Sequence, residues 1–314
     1  MEQHFIVAVK AILPLFILIL MGIFVRWRKM LTDTELEHVN AMIFKVFFFC
    51  MMFYNMYTTT IATALRPRLM AFTVTSIFLV ILVSGIIVCS VEKDNRSRGA
   101  MLQGMYRSNF VLLGLPMVEN LFGPEAVAVP TMMIAAISPI YNISSVMILE
   151  NFRGGGRLSL GATLRNVLKN PMIVGAILGA VFMVTGIPVP EPVLKPVRQI
   201  AYCTSPVALL ILGASFRAGT ISEEKRNLAM IILGRLIVIP AVVMGIAYYI
   251  GFRGVDFVTI LCIFATPCAV ASFPMAQQLG SNAELAGSAV VITTALSSIS
   301  LFGWVVLFKV LGVF

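Results

Sequence analysis

Charge is what this sequence has least of. Only 12% of its 314 residues are Asp, Glu, Lys or Arg, roughly half the share of a soluble domain. That leaves too little polar surface to clothe a globule in water. It excludes a soluble enzyme, a disordered tail protein and a nucleic-acid binder. Aspartate is scarcest: Asp33, Asp94 and Asp256 all lie between apolar runs, so no intramembrane aspartate pair exists. There is no H-E-x-x-H, no G-x-S-x-G and no P-loop, so neither an enzyme nor an ATPase is expected. His4 and His38 lie outside the apolar runs, and Cys50, Cys89, Cys203, Cys262 and Cys268 lack metal spacing. The cysteines read as small buried apolar residues, and no metal or cofactor is expected.

Apolar length is what the sequence has instead, with 59% hydrophobic residues. A helix needs about 20 apolar residues to cross a bilayer. Ten runs qualify: 5–25, 39–57, 69–91, 99–122, 126–149, 167–187, 200–216, 228–250, 255–279 and 285–308. They do not alternate with period two, which excludes a membrane β-barrel. The first run is too long for a signal peptide and ends in Arg26-Trp27-Arg28-Lys29, so it is expected to stay as a helix. The expected fold class is an all-α polytopic membrane protein. Twelve Lys and Arg residues lie in the connections after spans 1, 3, 5, 7 and 9, against six on the other side. The positive-inside rule then places both termini outside the plasma membrane and the 151–166 connection, with Gly154-Gly155-Gly156, in the cytoplasm.

Spans 4 and 9 are alike. Ser108–Gly123 aligns with Thr266–Gly280, pairing Gly114 with Ser272, Pro116 with Pro274 and Met117 with Met275. The two lie five spans apart, an odd number, so the halves 1–150 and 167–314 would insert with opposite orientation as an inverted repeat. Gly114, Pro116, Pro267 and Pro274 carry helix-breaking chemistry, and each proline removes a backbone donor. Breaks at Ser108-Asn109 and Thr266-Pro267 fall near the midpoints of their spans, where lipid satisfies no open backbone group. Helix N-termini there suit a carboxylate. The candidate substrate-binding residues are Arg107, Ser108, Asn109, Asn142, Thr266, Pro267, Cys268, Ala269 and Val270.

These pieces resemble the auxin efflux carrier family of plant carriers and bacterial organic-acid permeases. The resemblance covers nearly the whole chain. It rests on Asn109-Phe-Val-Leu-Leu-Gly-Leu-Pro116, Lys169-Asn170-Pro171, Ser205-Pro206 through Gly213, and Ala265-Thr-Pro-Cys-Ala-Val-Ala-Ser-Phe-Pro274. It implies ten helices in two inverted five-helix repeats with broken, crossing helices 4 and 9, like sodium–proton antiporters and bile-acid symporters. It implies a scaffold of spans 1, 2, 6 and 7 and a moving domain of spans 3–5 and 8–10. It assigns Asn109 to the substrate carboxylate. Ser108 stands where plant carriers have proline, and Leu69–Val91 lacks their charged pair, which points away from auxin itself.

Other polar positions admit two readings. Thr131, Ser138, Asn142 and Ser145 share one helix face, as do Thr293, Ser297 and Ser300; they face the ligand or bond back to their own helix. Glu119 is too far along a continuous helix to pair with Arg107. Arg235 is expected to snorkel, as are Lys10, Lys45 and Lys169. Gln277 is placed in an inner vestibule. The expected function is secondary transport of a small organic anion, a mono- or dicarboxylate, by an elevator-like motion. An anion channel or a ligand-sensing receptor on the same fold is the alternative. The partners admitted are the organic anion, the lipid bilayer and a second copy in a homodimer, with no nucleic acid.

Overall fold

The computed structural model describes residues 2–58, 66–153 and 160–314, and those residues are helical apart from connections and one isolated β-bridge. The Gly154-Gly155-Gly156 run and the side chains of His4 and Lys10 lie outside the described residues. The helices are α1 (Glu2–Trp27), α2 (Asp33–Tyr57), α3 (Pro67–Val91), α4 (Asn95–Tyr106), α5 (Phe110–Phe122), α6 (Pro124–Arg153), α7 (Leu160–Lys169), α8 (Pro171–Thr185), α9 (Glu191–Ser215), α10 (Lys225–Ile250), α11 (Gly254–Ala265), α12 (Ser272–Gln278) and α13 (Ala283–Val310), with a short helical turn, Gly219–Glu223, between α9 and α10. Among the described residues, α2, α3, α6, α9, α10 and α13 are long and apolar enough to cross a membrane. Leu13–Trp27, α5, α8 and α11 are shorter apolar helices.

Local chemistry sets the ends. Thr32 and Glu35 form a reciprocal capping box at the start of α2. Asn170 accepts from the Met172 N–H at 3.0 Å, and Pro171 follows at the first helical position, so α7 and α8 are separate helices. The 151–166 connection is thus helical at both ends, in α6 and α7.

Glycine fixes the tightest contacts. A Cβ on Gly22 of α1 would lie 2.0 Å from the Leu210 carbonyl oxygen, and one on Gly213 of α9 would lie 2.1 Å from that of Ile19. Gly175 and Gly179 of α8 stand in the same relation to Phe49 and Phe53 of α2, at 2.5 and 2.4 Å. Lipid is as apolar as leucine, so helix association there depends on close backbone approach, which only the missing Cβ permits. α2 and α10 each contain a π-helical turn, Ile43–Phe47 and Gly234–Val238. Neighbouring donors bond carbonyls of these wider turns: Thr204 Oγ1 to Phe47 at 3.1 Å and Trp304 Nε1 to Leu236 at 2.9 Å.

Helix ends gather at two faces. At one, the Ser281 hydroxyl and the Asn282 N–H donate to the Arg96 carbonyl at 2.6 and 3.1 Å, and Asn282 Nδ2 reaches Glu224 at 2.8 Å. Arg217 pairs there with Glu284 and Asp33 at 3.2 and 3.7 Å. At the other, Arg66 pairs with Asp256, and the Gly254 N–H donates to the Val313 carbonyl at 3.0 Å. Two expectations need correction. Cys89 and Cys203 are exposed on their helices, while Cys50, Cys262 and Cys268 are buried; all five are free thiols. Gly114 and Pro116 lie inside the unbroken α5, and Pro274 lies in the first turn of α12, where its missing N–H is no loss. Gly114 serves packing instead: a Cβ there would meet the Phe110 ring at 2.5 Å and Cys262 at 3.2 Å.

A candidate substrate site at two paired helix breaks

The apolar runs of spans 4 and 9 are each interrupted. α4 ends at Tyr106 and α5 begins at Phe110; α11 ends at Ala265 and α12 begins only at Ser272. Pro267 explains the second stop, because it lacks an N–H and pushes the preceding residue out of the helical region. Thr266 is accordingly extended, at φ −69° and ψ 155°. The second half-helix begins later than the sequence alone implies, so Cys268–Val270 form a link rather than a helix start.

The breaks satisfy one another. Ser108 and Cys268 form an antiparallel bridge. The Asn109 N–H donates to the Pro267 carbonyl at 2.8 Å, and the Ala269 N–H to the Arg107 carbonyl at 3.1 Å. Either break alone would leave these groups open in a region where lipid offers no partner. α13 closes the far side, where the Cys268 N–H donates to Thr293 Oγ1 at 3.1 Å; Cys268 Sγ donates to the Gly104 carbonyl of α4 at 2.9 Å.

A cavity opens beside the bridge. Arg107, Ser108 and Asn109 line it with Ala269, Val270 and Ala271 of the second break. Ser138, Tyr141 and Asn142 of α6 form a polar wall, and Phe48, Met51 and Met52 of α2 with Val111 and Leu112 of α5 form an apolar one. Asn109 is 6% exposed, and its Nδ2 donor has no hydrogen-bond partner among the described residues. Arg107 is buried; its Nη2 donates to Asn142 Oδ1 at 2.5 Å and its Nη1 to Met275 Sδ. Asn142 Nδ2 donates in turn to Met52 Sδ at 2.8 Å. Among the described residues no carboxylate pairs with Arg107. A buried guanidinium held by neutral acceptors, beside an unpartnered amide donor, offers complementary charge to an anion.

The sequence-derived site residues therefore meet at one place, with different duties. Arg107, Ser108, Asn109, Asn142, Ala269 and Val270 line the cavity, whereas Pro267 and Cys268 lie behind it in the backbone pairing, and Thr266 bonds Arg235 through its carbonyl and Cys262 through its hydroxyl. The polar face of span 5 divides. Ser138 and Asn142 reach the cavity, Ser145 shares a 2.6 Å bond with the Tyr106 hydroxyl, and Thr131 bonds back to Val127 at 2.7 Å. Ser297 and Ser300 bond back to their own helix. Gln277 is tied to Asn40 of α2 by a side-chain hydrogen bond.

Sequence reasoning missed Tyr141, whose hydroxyl accepts from Ser108 at 3.3 Å, and Met275. It also misplaced Arg235, which does not snorkel. Arg235 is 0% exposed and directs its guanidinium into backbone carbonyls of both interrupted segments. The π-helical turn at Gly234–Val238 carries it, and that register is invisible to a regular helical count.

The sequence model of a family described as "Membrane transport protein" matches residues 7–305. A protein of Methanothermobacter thermautotrophicus described as "Uncharacterized transporter" is 23% identical over 202 residues, covering 64% of each chain. The chain thus spans just under two thirds of that relative's length. With a family match running almost from end to end, the chain belongs to the membrane transport protein family of the auxin efflux carrier type.

Proposed function

We propose that this protein is a secondary transporter of a small organic anion, a mono- or dicarboxylate, which binds in the cavity beside the paired breaks. The carrying observation is Asn109: a buried amide donor without a partner, opening on a cavity that also holds the Arg107 guanidinium. A buried unpaired donor costs about 1–3 kcal/mol, and a carboxylate oxygen would recover that cost. Arg107 and Ser108 complete a donor set on one side, and the apolar wall suits the carbon skeleton of an organic acid.

The motion in this reading is an elevator of the segments bearing the breaks against α1, α2, α8 and α9. Two features support it. Those four helices are joined by backbone-to-backbone contacts at Gly22, Gly213, Gly175 and Gly179, which do not slide without loss. Their hydrogen bonds to the rest run through side chains, Asn40 to Gln277, Met52 to Asn142 and, just past α9, Arg217 to Glu284, with no backbone pairing between the two groups among the described residues. The pairing of α1 with α9 and of α2 with α8 also suits two inverted five-helix halves. Placement in the plasma membrane with both termini outside belongs to the same reading.

Counterflow tests it. Vesicles preloaded with unlabelled malonate or benzoate should transiently accumulate the labelled acid against its gradient. A channel equilibrates label without overshoot, and a receptor moves none.

A further inference from the structure

We infer that Arg235 is a positioning residue for the site, a clamp holding the C-terminal ends of α4 and α11 together and so setting the geometry in which Asn109 and Arg107 meet an anion. Its Nε donates to the Thr266 carbonyl at 2.7 Å and its Nη2 to Ile263 at 2.9 Å. Its Nη1 is shared between the carbonyls of Met105 and Tyr106, at 3.2 and 3.1 Å. Two of these four carbonyls belong to the last turn of α4, and two to the end of α11 and its break.

Every helix leaves its last carbonyls unbonded and carries roughly half a negative charge at that end. Here two such ends meet beside a cavity proposed to bind an anion. Uncompensated, they repel each other and repel the anion. Arg235 answers both problems: its charge cancels the converging dipoles, and its planar fork bonds both helices at once. Among the described residues it has no carboxylate partner, so the helix ends are its counter-charge. Arg235 does not line the cavity. It acts through Thr266 and Tyr106, which directly precede Pro267 and Arg107, the residues whose carbonyls hold the bridge. Lysine keeps the charge but loses the planar fork.

The substrate side of this inference rests on the proposed function, so the test has one readout that needs no ligand. Cys268 is fully buried at the bridge, its thiol on the Gly104 carbonyl of α4. In a chain with Cys50, Cys89, Cys203 and Cys262 changed to Ala, N-ethylmaleimide should alkylate Cys268 slowly. Arg235→Lys and Arg235→Met should raise that rate by about tenfold or more. The properly folded fraction of each should also bind malonate or benzoate about tenfold or more weakly, at least the equivalent of one lost charge-assisted hydrogen bond. Alkylation within about twofold of the parent in both variants overturns the inference, as does faster alkylation with unchanged affinity, which would make Arg235 merely structural. Faster alkylation in a protein whose parent binds neither acid leaves the clamp standing and removes the proposed function instead. If neither variant folds, the parent answers by NMR of its arginine side chains. The buried guanidinium that persists in Arg107→Lys should keep its Nε proton protected from exchange, and exchange as fast as at surface arginines overturns the clamp.

Discussion

Gly213→Ala adds one methyl group where α9 meets α1. The new Cβ would lie 2.1 Å from the Ile19 carbonyl oxygen, 2.9 Å from its carbon and 3.0 Å from its Cα. These are backbone atoms with no rotamer to move. Ordinary contact needs about 3.4 Å, so the helices must part by roughly 1 Å, and overpacking of this kind costs about 1–3 kcal/mol. Gly22 opposes the same contact, 2.0 Å from the Leu210 carbonyl oxygen. Once one alanine has separated the helices, the second has less to displace. The Gly22→Ala/Gly213→Ala pair should therefore cost less than the sum of its singles by about 0.5 kcal/mol or more. Gly245 is the control: its Cβ would meet nothing within 4 Å, and Gly245→Ala should raise stability by up to about 1 kcal/mol through helix propensity. The assay is unfolding of purified protein in mixed micelles, followed by circular dichroism. A Gly213→Ala protein as stable as the parent, or costs that simply add, would refute the close packing of α1 on α9.

Three further outcomes follow from other parts of the molecule. Pro267→Ala restores a backbone donor and lets α11 run on, so counterflow should fall about tenfold or more while membrane insertion persists; unchanged counterflow would show that the second break is not needed. The Glu92 carboxyl is held below the usual carboxylate range, chiefly by the Asp94 N–H and further by Asn227 Nδ2 and the Lys93 N–H, against partial burial. A depressed native pKa gives stability that is full above the ordinary glutamate value and lost as pH falls through the lowered one. The stability gap between parent and Glu92→Gln should therefore close on acidification, and a gap that widens would contradict this. In intact cells, a membrane-impermeant thiol reagent should label Glu2→Cys and not Gly155→Cys, and the reverse pattern would invert the orientation.

The all-helical membrane class was legible because a bilayer demands long apolar runs, six of which, among the described residues, are helices long enough to cross it, and Pro267 announced its break. The place of Asn109 beside a break was legible, because it falls near the midpoint of an apolar run, and it lines the cavity. What stayed hidden depends on contacts distant in sequence. Gly114 and Pro116 look like breakers, yet α5 absorbs both, and the first interruption falls at residues 107–109, where no proline stands. The Arg107 and Ala269 backbones, 162 residues apart in the sequence, close that gap together. Arg235 looked like a snorkelling residue because a helical wheel counts 3.6 residues per turn and cannot foresee a π-helical turn. Four backbone carbonyls at two interrupted segments were the missing signal: such ends need donors, and Arg235 is a buried cation with no carboxylate partner among the described residues.

The central claim is that an organic anion is held at the paired breaks by Asn109. Its most direct test is equilibrium binding of labelled malonate and benzoate to the purified parent and to Asn109→Ala, each first shown to be folded by its melting transition. Loss of a hydrogen bond to a charged ligand is worth about 1.5–3 kcal/mol, so the better-bound acid should bind Asn109→Ala roughly 10- to 150-fold more weakly. Binding by Asn109→Ala equal to that of the parent would contradict the claim and move the site away from the breaks.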